Sequence, residues 1–173
     1  MPNQQGFKTL VNTTLCYIEK KRCYLMLHRT KKENDYNHDK WIGIGGKFEN
    51  GEEPRDCAVR EIFEETGLAV EPGDLEYKGI VTFVDTSSEP VYTEFMHIFR
   101  TQRFEGSLKE NCDEGSLEWV PIEKLNTLPH WQGDEIFLDF IAEGRSFFSL
   151  KLVYKNNVLI QTYLNGKIYK HFV

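Results

Sequence analysis

Two short runs dense in β-branched, aromatic and other apolar residues open the chain, over 9–18 (TLVNTTLCYI) and 22–29 (RCYLMLHR). The polar Glu19-Lys20-Lys21 separates them, and the pattern predicts a β-hairpin. A lysine-rich polar loop over 30–40 follows, then a glycine-rich stretch. Over 54–66 the period changes. Pro54 suits the first turn of a helix, where its missing N–H costs nothing. Ala58, Val59, Ile62 and Phe63 form an apolar stripe at helical spacing, and Gly67 is a natural stop. Strands are expected over 75–84 and 91–101, separated by the turn-forming DTSSEP, and over 116–120. A short helix is expected over 121–125, and a longer one over 132–143, where Ile136, Phe137, Phe140 and Ile141 recur at helical spacing. The tail, 147–173, reads as a β-rich extension with strands over 147–154, 158–164 and 167–172. Lys155-Asn156-Asn157 and Asn165-Gly166 mark its hairpin turns. The prediction is one mixed α/β domain, 1–173, with helices flanking a sheet.

Composition adds limits. With 40% hydrophobic and 28% charged residues the chain has the balance of an ordinary folded protein of 173 residues. Its net charge of −6 argues against a nucleic-acid polymer or an acidic membrane surface as partner, but not against a small anionic ligand. The four cysteines form no CxxC pair and read as reduced thiols, which places the protein in the cytoplasm. No leader peptide is expected at residues 1–11, and no stretch approaches the roughly 18 apolar residues of a membrane helix. The oligomeric state is left open.

The chemistry lies in WIGIGGKFENGEEPRDCAVREIFEETGL, residues 41–68. Glu61, Glu64 and Glu65 are three and four residues apart and share one side of the expected helix, with Ile62 and Phe63 assigned to the core. They stand near the helix C-terminus, where the macrodipole disfavours negative charge. Arg60 can pair with Glu64, but one arginine does not neutralise three glutamates. Just upstream, Gly43, Gly45, Gly46 and Gly51 allow close backbone approach to a ligand. Oxygen-only donors beside such a loop suit a hard divalent cation, Mg²⁺ or Mn²⁺, completed by substrate phosphate oxygens.

The spacing of Gly46, Glu52 and Arg60-Glu61-Ile62-Phe63-Glu64-Glu65-Thr66-Gly67-Leu68 matches G-x5-E-x7-R-E-U-x-E-E-x-G-U, where U is aliphatic, at all nine defined positions of 46–68. This resembles the box of the Nudix hydrolases, whose fold is an αβα sandwich around a mixed sheet. Their reaction is metal-dependent hydrolysis of a diphosphate linked to another moiety. The resemblance implies that Glu61, Glu64 and Glu65 are metal ligands together with the Gly45 carbonyl, and that Arg60 and Glu52 orient the glutamates. It also implies a further acid from a later loop, here Glu114, with Asp113 and Glu118 as the neighbouring choices. A glutamate, Glu61 or Glu64, would take the proton from the attacking water, and Gly46 and Lys47 would meet phosphate.

The stretch W-x-G-x-G-G-K-x-x-x-G-E resembles the MutT-like branch, and the C-terminal part from Asp113 resembles the closing part of 8-oxo-purine triphosphate hydrolases. The matching base-contact positions are Trp131, whose face can stack on a purine, and Asp134, whose carboxyl can bond its edge. Thr13 and His28 fall where relatives touch the nucleotide. There are departures. Ile42 stands where animal-type relatives carry a base-reading Asn, and Gly133-Asp134 replaces paired acids. The expected activity is Mg²⁺-dependent conversion of 8-oxo-dGTP, or a similar purine triphosphate, to monophosphate and pyrophosphate, in nucleotide-pool sanitation and DNA repair. The alternatives are hydrolysis of ADP-ribose, a dinucleoside polyphosphate or another nucleoside diphosphate derivative, and a non-catalytic nucleotide sensor.

Overall fold

A computed structural model describes residues 10–172 of the chain. Residues 1–9, which carry most of the segment scanned for a leader and the expected start of the first strand at Thr9, lie outside the described part. The first hairpin pairs β1 (Val11–Lys20) with β2 (Cys23–Arg29). Its turn falls one residue later than the sequence suggests, on Lys21-Arg22, both at positive φ (50° and 58°). That conformation matches the twist of a two-residue hairpin, so β1 runs on through Glu19, which binds Arg100 at 2.8 Å. The two strands are in register only next to the turn, at Glu19/Tyr24 and Lys20/Cys23. Beyond it they splay apart, and the glycine-rich stretch enters the opening. Thr14 N–H donates to the Gly46 carbonyl (2.9 Å) and Cys16 N–H to that of Ile44 (2.6 Å).

On its other edge β1 pairs in parallel with β5 (Tyr92–Thr101), β5 antiparallel with β4 (Glu76–Asp85), and β4 in parallel with β7 (Phe148–Lys155). The antiparallel strands β8 (Val158–Leu164) and β9 (Lys167–His171) complete this mixed sheet. Asn156-Asn157 and Asn165-Gly166 adopt positive φ at the expected tail turns. A shorter antiparallel layer joins β2 to β6 (Gly115–Pro121) and to β3 (Trp41–Ile42), a two-residue strand that the sequence pattern does not show.

Helix α1 (Pro54–Thr66) has the predicted limits, with Gly67 at φ 78° donating its N–H to the Phe63 carbonyl (2.9 Å). Ala58 and Ile62 bury against Cys16, Ile18, Leu25, Leu27 and Phe99. Phe63 corrects the expectation: it is 61% exposed, because one residue past Ile62 the helix has turned about 100° away from the core. Helix α2 (Asp134–Ala142) begins two residues later than expected and covers the opposite face. Ile136, Phe137, Phe140 and Ile141 meet Tyr17, Val81, Leu150 and Leu152 there. The expected short helix after Pro121 is a 3-10 segment, Ile122–Thr127. Two helices on opposite faces of a mixed sheet make the αβα sandwich. None of the described helices is long and apolar enough to cross a membrane.

Candidate active site

A cleft of about 910 Å³ opens over β1, β5 and β4 and reaches from α1 to the start of α2. Gly45, Gly46, Lys47, Arg60, Glu61, Glu65 and Glu114 line one end; Tyr36, Phe83, Tyr92, Trp131 and Asp134 line the other. Thr13 and Ile42 also border it. His28 does not: its ring stacks on Trp41 (4.5 Å) and its Nε2 meets Asp39 Oδ1 at 2.8 Å. Asp113 and Glu118 are likewise not among the lining residues. Nor is Glu64, whose side chain is 56% exposed.

Arg60 organises the acid end. Its guanidinium takes Glu52 in a fork, Nε to Oε1 at 2.6 Å and Nη2 to Oε2 at 3.0 Å, and reaches Glu61 at 2.8 Å and Glu64 at 3.1 Å. Nη2 also donates to the Lys47 carbonyl at 3.0 Å, tying the helix to the glycine loop. This neighbour drives the Glu52 carboxyl down to about 2. Glu61, half-sunk in the protein, is raised by burial against the pull of Arg60. Glu65 is 8% exposed. Burial, followed by the charges of Glu114 and Glu61, pushes its carboxyl up to about 8, although Gly45 N–H donates to its Oε2 at 3.1 Å.

Close packing explains the glycines. A Cβ on Gly45 would stand 1.9 Å from the Thr14 carbonyl oxygen, and one on Gly46 would stand 2.4 Å from Glu61 Oε1. The carbonyls of Ile44 and Gly46 are both turned to β1. Carbonyl direction alternates along extended backbone, which turns the Gly45 oxygen away from β1.

Glu114 is held by Arg29 and by Lys32 Nζ at 2.9 Å, while Arg29 also binds Asp35. Sequence reading missed these two cations, since nothing local distinguishes them from other surface charges. Among the described residues no three acidic side chains are already gathered in ligating geometry. Each carboxylate is turned to an internal partner instead. The donor set nonetheless fits a hard divalent cation: it is all oxygen, crowded, and short of positive charge once Arg60 is shared among three glutamates.

At the other end, Tyr36 stacks on Trp131 at 4.7 Å and 18°, and Lys40 Nζ lies 4.5 Å over the indole. Trp131 Nε1–H donates to Asn37 Oδ1 (2.7 Å), so the 30–40 loop, expected only as a polar connection, builds part of this wall. Asp134, buried at the start of α2, has its carboxyl pushed up to about 7, mainly by burial and against the backbone N–H of Trp131 and the charge of Lys40. Folded protein therefore keeps a proton that the unfolded chain gives up near pH 3.8. Between about pH 4 and 7 the folded state binds more protons, so this group's contribution to stability falls as pH rises and is level above about 7. The Asp134→Asn variant is expected to lose this slope, worth a few kcal/mol, in thermal melts of the two proteins followed across that range.

The NUDIX domain model matches residues 10–140. The chain belongs to the Nudix hydrolases. The Bacillus subtilis Nudix hydrolase YvcI, itself uncharacterized, is 34% identical over 106 residues, 61% of this chain and 66%, just under two thirds, of that protein. An oxidized purine nucleoside triphosphate hydrolase from Danio rerio is 30% identical over 132 residues, covering 75% of this chain and 80% of that one. The crystal structure of the Mutator MutT protein from Bacillus halodurans superposes with a TM-score of 0.80 at 24% identity, over 91% of this chain and 99% of that one. That match shows the shared fold.

Proposed function

We propose that this Nudix hydrolase converts a purine nucleoside triphosphate with an oxidised base, 8-oxo-dGTP or a close relative, to the monophosphate and pyrophosphate. The observation that carries the reading is the joining of two ends in one cleft: crowded carboxylates and glycines at one, Trp131 and Asp134 at the other. The likeness to the Danio rerio hydrolase supports the same substrate class. We read residues 1–173 as one domain because β7 extends the same sheet by pairing with β4. Nucleotide-pool sanitation in the cytoplasm is the setting this reading implies, and the free Cys16, Cys23, Cys57 and Cys112 agree with a reducing compartment.

Glu61, Glu64, Glu65 and Glu114, with the Gly45 carbonyl, would hold Mg²⁺, or Mn²⁺ in its place. Such a cation supplies polarisation of the phosphates and a lower pKa for bound water. The protein's own work is positional and protolytic. Water forms the new O–P bond at one of the two phosphorus atoms flanking the α–β bridging oxygen as the bond of that phosphorus to the bridge breaks, and monophosphate and pyrophosphate separate. Glu61 or Glu64 accepts the proton. Arg60 holds both carboxylates toward the loop, and Lys47 and the Gly46 backbone receive the phosphates. Trp131 and Asp134 receive the base. At neutral pH Asp134 is part protonated and offers both a donor and acceptors to a purine edge.

The deciding experiment incubates the protein and Mg²⁺ with dGTP, 8-oxo-dGTP, ADP-ribose and diadenosine polyphosphates, and identifies the products. Pyrophosphate release from 8-oxo-dGTP at the highest kcat/KM is expected. AMP from ADP-ribose with no pyrophosphate from any triphosphate would replace this reading with that of a nucleoside diphosphate derivative. Binding with no turnover would make the chain a sensor.

A further inference from the structure

Between its two ends the cleft is bordered by a carboxylate with no part in the phosphate chemistry. Glu94 stands on β5, beside Phe83 of β4 in register, and its side chain borders the cleft. Both of its oxygens are pinned: Thr13 Oγ1–H donates to Oε1 at 2.6 Å, and Tyr92 O–H donates to Oε2 at 2.8 Å. These neighbours fix its place along the substrate. Thr13 bridges to Lys47 at the phosphate end. Phe83 meets Trp131 edge-on at 6.2 Å at the base end. What lies between phosphate and base in a nucleotide is the sugar.

An ionised carboxylate accepts only, and its two oxygens offer about four lone-pair directions. Thr13 and Tyr92 use one on each oxygen, which leaves one on each. Two acceptors on one rigid group match two hydroxyl donors on adjacent carbons. A ribose offers that pair as its 2′,3′-diol, whereas a 2′-deoxyribose offers a single hydroxyl. We propose that Glu94 reads the sugar, and that the cleft prefers ribonucleoside triphosphates over their 2′-deoxy counterparts. Within the oxidised-purine class this favours 8-oxo-GTP over 8-oxo-dGTP. The inference rests on the placing of phosphates and base under Proposed function.

The test is binding, which needs no turnover. Calorimetry with Ca²⁺ compares α,β-methylene-GTP and its 2′-deoxy form on the wild type, Glu94→Gln and Glu94→Ala. A hydrogen bond to a charged acceptor corresponds to a preference of about tenfold or more for the ribose form in the wild type. In Glu94→Ala the two affinities should converge, and Glu94→Gln, with one acceptor fewer, should fall between. No ribose preference in the wild type, or one that survives both substitutions, overturns the assignment. So does a change in guanine-over-adenine preference with an unchanged ribose ratio, which would put Glu94 at the base. If neither triphosphate analogue binds, the triphosphate reading itself has failed. The same comparison of ADP-ribose with its 2′-deoxyadenosine form then decides the role of Glu94 alone.

Discussion

Glu64→Gln is expected to lower kcat by a factor on the order of 10²–10³, while the thermal midpoint stays within about 2 °C of the wild type. Both halves follow from the position of Glu64. Its side chain is 56% exposed, and its ion pair with Arg60, at 3.1 Å, is an i,i+4 contact at the surface. Pairs of that kind contribute little to stability, about 0.5 kcal/mol or less. Glutamine keeps the size and one carbonyl oxygen but loses the charge, which is what a cation ligand or a general base requires. Steady-state kinetics on the best substrate of the panel, alongside a melt, separates the two roles. Near-wild-type turnover would remove Glu64 from the site altogether.

The helix that carries Glu64 was open to reading because three local signals agree on it: Pro54 at its start, the Ala58–Ile62 spacing, and Gly67 at its end. The hairpin turns of the tail were visible for a similar reason, since paired Asn and Asn-Gly tolerate positive φ. The first turn misled by one residue, because Lys21 and Arg22 have no intrinsic preference for the left-handed region they adopt. Tertiary pairing of Glu19 with Arg100 holds that register. Phe63 misleads for the opposite reason: an apolar residue adjacent to the stripe reads as part of it, although helical rotation carries it into solvent.

The site divides along the same line. The acid end is contiguous in sequence, so helical spacing brings Glu61, Glu64 and Glu65 into one reading and the resemblance adds Glu52 and Arg60, and all are linked through Arg60 or the glycine loop. The base end is assembled from the 30–40 loop, β4, β5 and the start of α2. Tyr36 and Phe83 reach it, and Glu94 the stretch between the two ends, only through sheet order and loop packing, which leave no local trace. Glu94 does sit two residues before Met96 on one face of β5, an alternation that places it on a sheet face without saying which ligand that face meets. Arg29 and Lys32 belong to the same category. Their partner, Glu114, is more than 80 positions away in the chain.

Arg60→Met should show how far the acid end depends on one guanidinium. Methionine fills much of the volume but leaves Glu52 and Glu61, each about 15% exposed, without their shared cation. Removing one partner from such a half-buried cluster is expected to cost about 3 kcal/mol, read as a lower urea midpoint at unchanged slope. Turnover should fall about 100-fold, the scale seen when a group that orients ligands is lost. Arg60→Lys should recover little of either, since an ammonium cannot make the two-pronged contact to Glu52 or span three carboxylates. Divalent cation separates a site role from a purely structural one. With the guanidinium gone, bound Mg²⁺ relieves more carboxylate repulsion than it does in the wild type. The rise in thermal midpoint on adding millimolar Mg²⁺ should therefore be larger in Arg60→Met. An equal rise in both proteins would mean that the cation does not meet the carboxylates that Arg60 holds, and the ligand set drawn from Glu61 and Glu64 would have to be abandoned.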